Sequence, residues 1–225
     1  MDISSLKMIG LFSGLDQDQI EHITDMASIR QYEKNAIILF ENDSDRKLNV
    51  ILSGSVKLTS YHTAGREFVY SFLNSGDVFG VLSILDDEIR TTNVVAILQT
   101  RVLEFERTHY LNLLRDFPQI TLNLLKEMSR RLRKRDTQIK SMTLQNATGK
   151  VASTLLGLTE DAGEVREGQI EVNSIPPHRD IANMVGTSRE TISRALQWLT
   201  EEGFVQRVEG RLIIKDYQNF RTAFS

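Results

Sequence analysis

The spacing of hydrophobic positions changes several times along this chain, and each change marks an element. Residues 1–28 carry apolar positions at helical spacing: Ile20, Ile23 and Met26 share one face of DQDQIEHITDMA, and Asp16 stands where a cap belongs. From Ile29 to Glu106 the texture turns to short runs rich in Val, Ile, Leu, Phe and Tyr. The runs are broken at Asn42-Asp43-Ser44, Ser53-Gly54, Ala64-Gly65, Asn74-Ser75-Gly76 and Asp86-Asp87-Glu88, which predicts a β-roll or jelly-roll. Residues 107–117 return to helical character, and Pro118 suits the first turn of a long helix ending near Leu144.

That helix carries a heptad seam. Leu125, Met128, Leu132, Ile139 and Met142 occupy a and d positions, with Arg135 and Asn146 as polar exceptions. Such a seam beside a β-domain predicts a parallel homodimer. Asn146 reads as the cap of a new helix from Ala147 to Leu158, which makes the joint near 143–147 a candidate hinge. A polar loop with the strand-like QIEVNSI follows and closes at Pro176-Pro177.

The segment RDIANMVGTSRETISRALQWL, 179–199, reads as a short helix, a tight turn at Gly186 and a second helix opening at Thr187 or Ser188. On the second helix 189/190 stack with 193/194, while Ile192, Ala195, Leu196 and Leu199 form the opposite, apolar face. Arginine reaches guanine O6 and N7 as a fork, and a carboxylate accepts from cytosine N4 in the same groove. Arg189, Glu190, Ser193 and Arg194 therefore suit a helix-turn-helix that reads base edges. The plain alternative is a helical hairpin with a solvated charged face. FVQRV and RLIIK then flank Glu209-Gly210 as a small hairpin, or wing. Its Arg207 and Arg211 are candidate phosphate contacts, against the alternative of a simple capping hairpin.

Composition narrows the field modestly. The balance of 27 basic and 30 acidic side chains neither favours nor excludes DNA, because basic groups can gather on one face. The absence of cysteine excludes disulfides and thiolate-held zinc or iron–sulfur clusters. No apolar run resembles a signal peptide or a membrane span, so a cytoplasmic protein without membrane contact is expected. His22, His62 and His109 are scattered, which reads as surface or capping histidine rather than haem ligation. RRLRKR at 130–135 reads as a solvated flank of the long helix, not a DNA contact.

A β-roll, a long helix and a winged helix-turn-helix, in that order, resemble the Crp/Fnr family of bacterial transcription regulators over nearly the whole chain. SRETISR at 188–194 is similar to the recognition helix of the catabolite-activator branch, which implies Arg189, Glu190 and Arg194 as base readers. The spacing of Glu190, Ser193 and Arg194 also matches the oxygen-regulator branch. In the roll, ILSGSVKL at 51–58 resembles the family's first hairpin. GDVFGVLSIL at 76–85 resembles the effector-cradling turn, and Arg90-Thr91-Thr92 the anion-binding triplet. Asn42 replaces the family's usual turn glycine, a departure that asparagine's tolerance of positive φ accommodates.

The resemblance implies an effector site of Phe79, Gly80, Val81, Leu82, Arg90 and Thr91, completed by Arg131 and Asp136 on the long helix. Val81 stands where cyclic-AMP-binding members have a ribose-holding glutamate. Arg135 and Asp136 replace the adenine-contacting threonine and serine, which disfavours cyclic AMP. FGVLSIL resembles the cyanobacterial nitrogen-control branch, which senses 2-oxoglutarate through arginines and a glutamate. Arg131 and Asp136 fall at its helix positions, and Arg90 at its roll position after a two-residue shortening of the loop. Arginine forks suit a small dicarboxylate. Equally, 131 and 136 stand at g and e positions, the spacing of an interhelical ion pair.

The expected protein is α+β. Residues 1–117 form a cyclic-nucleotide-binding-like β-roll with an N-terminal helix, 118–145 the dimerisation helix, and 146–225 the winged helix-turn-helix. Its expected partners are a pseudo-palindromic DNA duplex, a second copy and, by analogy through the loop at 160–168, RNA polymerase. A small anionic effector gates it. The rival readings are a constitutive DNA binder without effector and a cupin-like enzyme, whose chemistry needs clustered histidines this chain lacks.

Overall fold

The structure, a computed structural model, describes residues 6–63, 65–86, 88–166, 169–172, 175–208 and 211–224, with backbone alone at 144, 160–166 and 172. The chain divides into two compact units. One comprises residues 1–64 and 70–130, and the other comprises 65–69 and 131–225.

In the first unit a short 3-10 turn, Gly10–Phe12, precedes α1 (Gln17–Asp25). The Asp16 side chain accepts from Gln19 N, and the Gln19 side chain returns the bond to Asp16 N, a reciprocal cap of two donors otherwise left without acceptors. The helical reading of 1–28 ran slightly long, since β1 begins at Ala27. Ile29 and Arg30 pair with Leu103 and Val102 instead of continuing the helix, because the strand ladder satisfies their backbone there.

Eight strands follow: β1 (Ala27–Tyr32), β2 (Ile37–Leu39), β3 (Lys47–Ser53), β4 (Ser55–Tyr61), β5 (Glu67–Asn74), β6 (Val78–Phe79), β7 (Asn93–Ala96) and β8 (Thr100–Glu106). They form two four-stranded sheets in the orders β1-β8-β3-β6 and β2-β7-β4-β5, the jelly-roll arrangement. Side chains of β3 alternate between two cores. Leu48 and Val50 join Phe12, Ile20, Leu103, Phe105 and Tyr110 on the helix-covered face. Ile51 joins Leu39, Val56, Phe79, Val94 and Val102 between the sheets. Asn42 has φ +66°, as the missing turn glycine requires.

Two helices continue from the roll, α2 (Val81–Leu85) from within it and α3 (Arg107–Asp116) after it. The long helix α4 (Pro118–Leu144) follows. Ile120 and Leu124 are buried in the helix-covered core, and Met128 packs against it. Met128 is therefore not on the exposed seam. Among the described side chains of α4, the apolar positions left uncovered are Leu122 (53% exposed), Leu125 (57%), Leu132 (62%) and Ile139 (63%). The stripe runs 122, 125, 129, 132, 136, 139, 143, which shifts the expected heptad phase. In this phase Asp136 lies on the stripe and Arg131 no longer flanks it at a g position.

In the second unit α5 (Ala147–Ala162) opens under the Asn146 cap, whose Oδ1 accepts from Gly149 N at 2.9 Å. It runs past the expected Leu158. The hairpin β9 (Gly163–Arg166) and β10 (Gln169–Val172) joins β11 (Val205–Val208) and β12 (Arg211–Ile214) in the order β11-β12-β10-β9. Between them lie α6 (His178–Val185) and α7 (Arg189–Glu201), and α8 (Tyr217–Phe224) follows β12. Val151, Leu155, Ile181, Val185, Ile192, Ala195, Leu196, Leu199 and Phe220 are all buried. Phe204, Phe220 and Phe224 meet with ring centroids 5.0–5.8 Å apart.

Candidate functional site

The turn between α6 and α7 follows from three residues. Gly186 takes φ +74°, a left-handed cap conformation open to glycine at little cost. Its N–H and that of Thr187 both donate to Ala182 O, at 2.9 and 3.0 Å, which closes the first helix. Ser188 opens the second, its Oγ accepting from Thr191 N at 3.2 Å. With Ile192, Ala195, Leu196 and Leu199 buried, helical geometry turns Arg189, Glu190, Ser193 and Arg194 outward, and all four are exposed. Thr187 and Thr191 are half-buried at the edge of this face.

The charge state of the face is well defined. Its own backbone N–H and the Ser188 hydroxyl hold the Glu190 carboxyl below the usual range, and Arg189 and Arg194 add to this. Glu190 is thus an acceptor at neutral pH, as a cytosine N4 contact requires.

One member of this face went unassigned in the sequence. His178, at the start of α6, touches both the wing and the second helix. Its Nε2 lies 2.7 Å from Arg207 Nη2, and its Nδ1 lies 3.2 Å from Ser193 Oγ. A guanidinium only donates, so Nε2 accepts and the neutral ring carries its proton on Nδ1, pointing to Ser193. Burial, then Arg207 and Arg189, depress the histidine's pKa. Of the two wing arginines, Arg211 is ion-paired with Glu171 of β10, while Arg207 meets an uncharged ring. The turn residues 209–210 lie outside the described residues.

In the first unit, β3, β6 and the start of α2 bring Gly80 and Arg90 together. Gly80 has φ +83°, and a Cβ there would collide with Lys47 O and stand 3.2 Å from Arg90 Nη1. Arg90 is only 6% exposed. Among the described residues its hydrogen bonds go to backbone carbonyls, of Asp45 at 2.7 Å and Lys47 at 3.2 Å, rather than to a carboxylate. Burial lowers its pKa, which Asp45 and Asp43 partly offset. Phe79 points between the sheets and Val81 into the helix-covered core, whereas Leu82 and Thr91 are exposed. Arg131 and Asp136 belong to the second unit, half-buried and exposed respectively.

His22 meets the Phe117 ring at a tilt with centroids 6.0 Å apart, His62 bonds Thr63, and His109 is exposed on α3. Among the described residues no three His, Asp or Glu side chains converge as metal ligands, and no helix is long and apolar enough to cross a membrane.

Residues 29–117 match the cyclic nucleotide-binding domain family, and residues 149–223 match the Crp-like helix-turn-helix domain. The chain is 32% identical over 206 residues to the Cyclic AMP receptor protein of Thermus thermophilus, covering 92% of each. It is 29% identical over 209 residues to the CRP-like cAMP-activated global transcriptional regulator of Mycobacterium tuberculosis, covering 93% of each. The fold is shared with a CooA mutant from Carboxydothermus hydrogenoformans, with a TM-score of 0.75 at 24% identity, covering 91% of this chain and 90% of that one. These relatives are regulators rather than enzymes, and the chain belongs to the Crp/Fnr family of transcription regulators.

Proposed function

We propose that this protein is a cytoplasmic, homodimeric, sequence-specific DNA-binding regulator whose operator affinity is set by a small anionic effector. The recognition helix carries the reading. Two arginines bracket an ionised glutamate on the exposed face of a helix whose opposite face is core. Arg189 and Arg194 read guanines and Glu190 the paired cytosine of a TGA-like half-site. Thr187, Ser188, Thr191 and Ser193 supply shorter contacts. Arg211 is engaged by Glu171, so the wing's phosphate contact falls to Arg207. The uncovered stripe on α4 supports pairing with a second copy, which sets two recognition helices about 34–36 Å apart in successive major grooves. RNA polymerase is the partner the family implies.

The effector's charged end falls to Arg90, a buried guanidinium whose hydrogen bonds go to backbone carbonyls and whose charge Asp45 and Asp43 offset only in part. Two relatives are named for cyclic AMP. Val81 cannot replace a ribose-binding carboxylate, however, and it packs into the helix-covered core. A 2-oxoglutarate-like dicarboxylate remains the second candidate through Arg131 and Asp136. Fluorescence anisotropy on a TGA/TCA palindrome at fixed salt, with no ligand, cyclic AMP or 2-oxoglutarate, tests the reading. Tightening with one ligand supports a gated dimer. Tight binding unaffected by either favours the constitutive rival, and no preference over scrambled DNA overturns the reader assignment.

A further inference from the structure

Among the described residues of the first unit, two buried side chains carry polar atoms without a hydrogen-bond partner, the Tyr110 hydroxyl in the helix-covered core and the Asn49 amide. Asn49 is 0% exposed, and among the described residues neither its Oδ1 nor its Nδ2 has a hydrogen-bond partner. Its direction follows from β3. Leu48 and Val50 face the helix-covered core and Ile51 faces the space between the sheets, so Asn49 shares the inner face with Ile51.

Its surroundings tie it to Arg90. Asn49 pairs in register with Phe79, the residue before Gly80. Two residues back on the same face, Lys47 offers the carbonyl that Arg90 bonds and that Gly80 approaches too closely for any side chain. One pleat, about 7 Å, therefore separates the two positions along the strand. On its other side Asn49 pairs with Glu104, whose carboxylate is taken by Lys47 Nζ at 3.2 Å and Arg30 at 3.7 Å. The charged neighbours satisfy one another and leave the amide out.

A buried amide without partners destabilises a fold, and an apolar residue of similar shape would serve a purely structural strand better. We propose that Asn49 reads the effector, its amide taking a neutral donor–acceptor edge of an organic anion whose charged end is held by Arg90. This rests on the anionic-effector reading above and sharpens it. Both amide atoms are satisfied only by a group that donates and accepts, such as a sugar hydroxyl or a nucleobase edge. A plain dicarboxylate offers acceptors alone. The cyclic nucleotide class fits this pair of residues, even though Val81 departs from the usual ribose contact.

Isothermal titration of the full chain with cyclic AMP, cyclic GMP and 2-oxoglutarate tests the assignment, on wild type, Asn49→Val, Asn49→Ala and Arg90→Ala. Binding of a cyclic nucleotide by wild type, weakened about tenfold or more by both Asn49 substitutions, is the expected result. Arg90→Ala abolishes it. In the absence of ligand, Asn49→Val melts about 2–4 °C above wild type, since the unpartnered amide is gone. Should wild type bind a nucleotide and both Asn49 variants bind it equally well, the inference fails and the effector reading stands. Binding of 2-oxoglutarate alone overturns the neutral-edge assignment. If wild type binds none of the three probes, the effector reading fails and this inference with it.

Discussion

Leu132→Ala tests the dimer most directly. Burying a leucine fully is worth roughly 1.5–3 kcal/mol. Leu132 keeps 62% of its surface exposed within one chain, so covering it across a two-fold interface contributes about 1–2 kcal/mol. Symmetry counts the substitution twice and alanine keeps part of each contact, giving a loss of about 2–3 kcal/mol per dimer. The dimer dissociation constant then rises about 30- to 150-fold, read by sedimentation equilibrium from nanomolar to micromolar protein. Met128→Ala is the control, because Met128 packs against its own roll. It lowers the melting temperature and leaves dimer affinity within about threefold of wild type. The uncovered stripe is not the interface if Leu132→Ala dimerises like wild type while Met128→Ala falls apart.

Other consequences are smaller and separable. Arg194→Ala costs about 1–3 kcal/mol on a matched operator and little on a scrambled one; equal anisotropy losses on both would reduce Arg194 to a phosphate contact. Ser188→Ala removes the cap on Thr191 N and lowers unfolding free energy in urea by about 0.5–2 kcal/mol, so an unchanged midpoint would deny the cap a stabilising role. The folded-state pKa of His178 is depressed, so the unfolded chain takes up its proton first as pH falls. Its contribution to stability is present above the unfolded pKa of about 6.5 and is lost on acidification toward the folded value. The wild-type minus His178→Gln difference in unfolding free energy should therefore shrink from pH 7.5 to 5.5; a difference independent of pH would contradict the neutral, Arg207-bonded ring.

Most elements were legible because they carried a local signal, whereas β9, read as part of a polar loop, and α8 went unread. Asn and Gly stand at the roll's turns, Pro118 and Asn146 begin helices, and Gly186 followed by Ser188 fixes the helix-turn-helix. Ile192, Ala195, Leu196 and Leu199 announced a buried face, and the structure buries all four. The exposed faces of helices were harder to read. Leu125, Leu132 and Ile139 belong to two heptad phases at once, one continued by Met128 and Met142 and the other by Leu122. Spacing alone does not choose between them, because methionine is apolar whether it meets a partner or its own domain. The choice is made by the roll core, which draws Ile120, Leu124 and Met128 to one side of α4 and leaves Leu122 on the other.

Site residues divide along the same line. Arg90, Glu190 and Arg194 lie in recognisable runs, whereas His178 and Asn49 gain their meaning from strands and helices distant in sequence. His178 matters because β11 and α7 present Arg207 and Ser193 to its two ring nitrogens. Within KLNVILS, Asn49 carries no local signal that separates it from any polar residue in a strand. Only the pairing of β3 with β6 and β8 shows that its neighbours bond each other and not it. A buried polar group whose every neighbour is already committed differs physically from a polar residue at a strand edge, where water completes its bonds. That difference exposes Asn49→Val to opposite effects, raising the stability of the free protein while weakening its hold on ligand. A packing role predicts no such opposition.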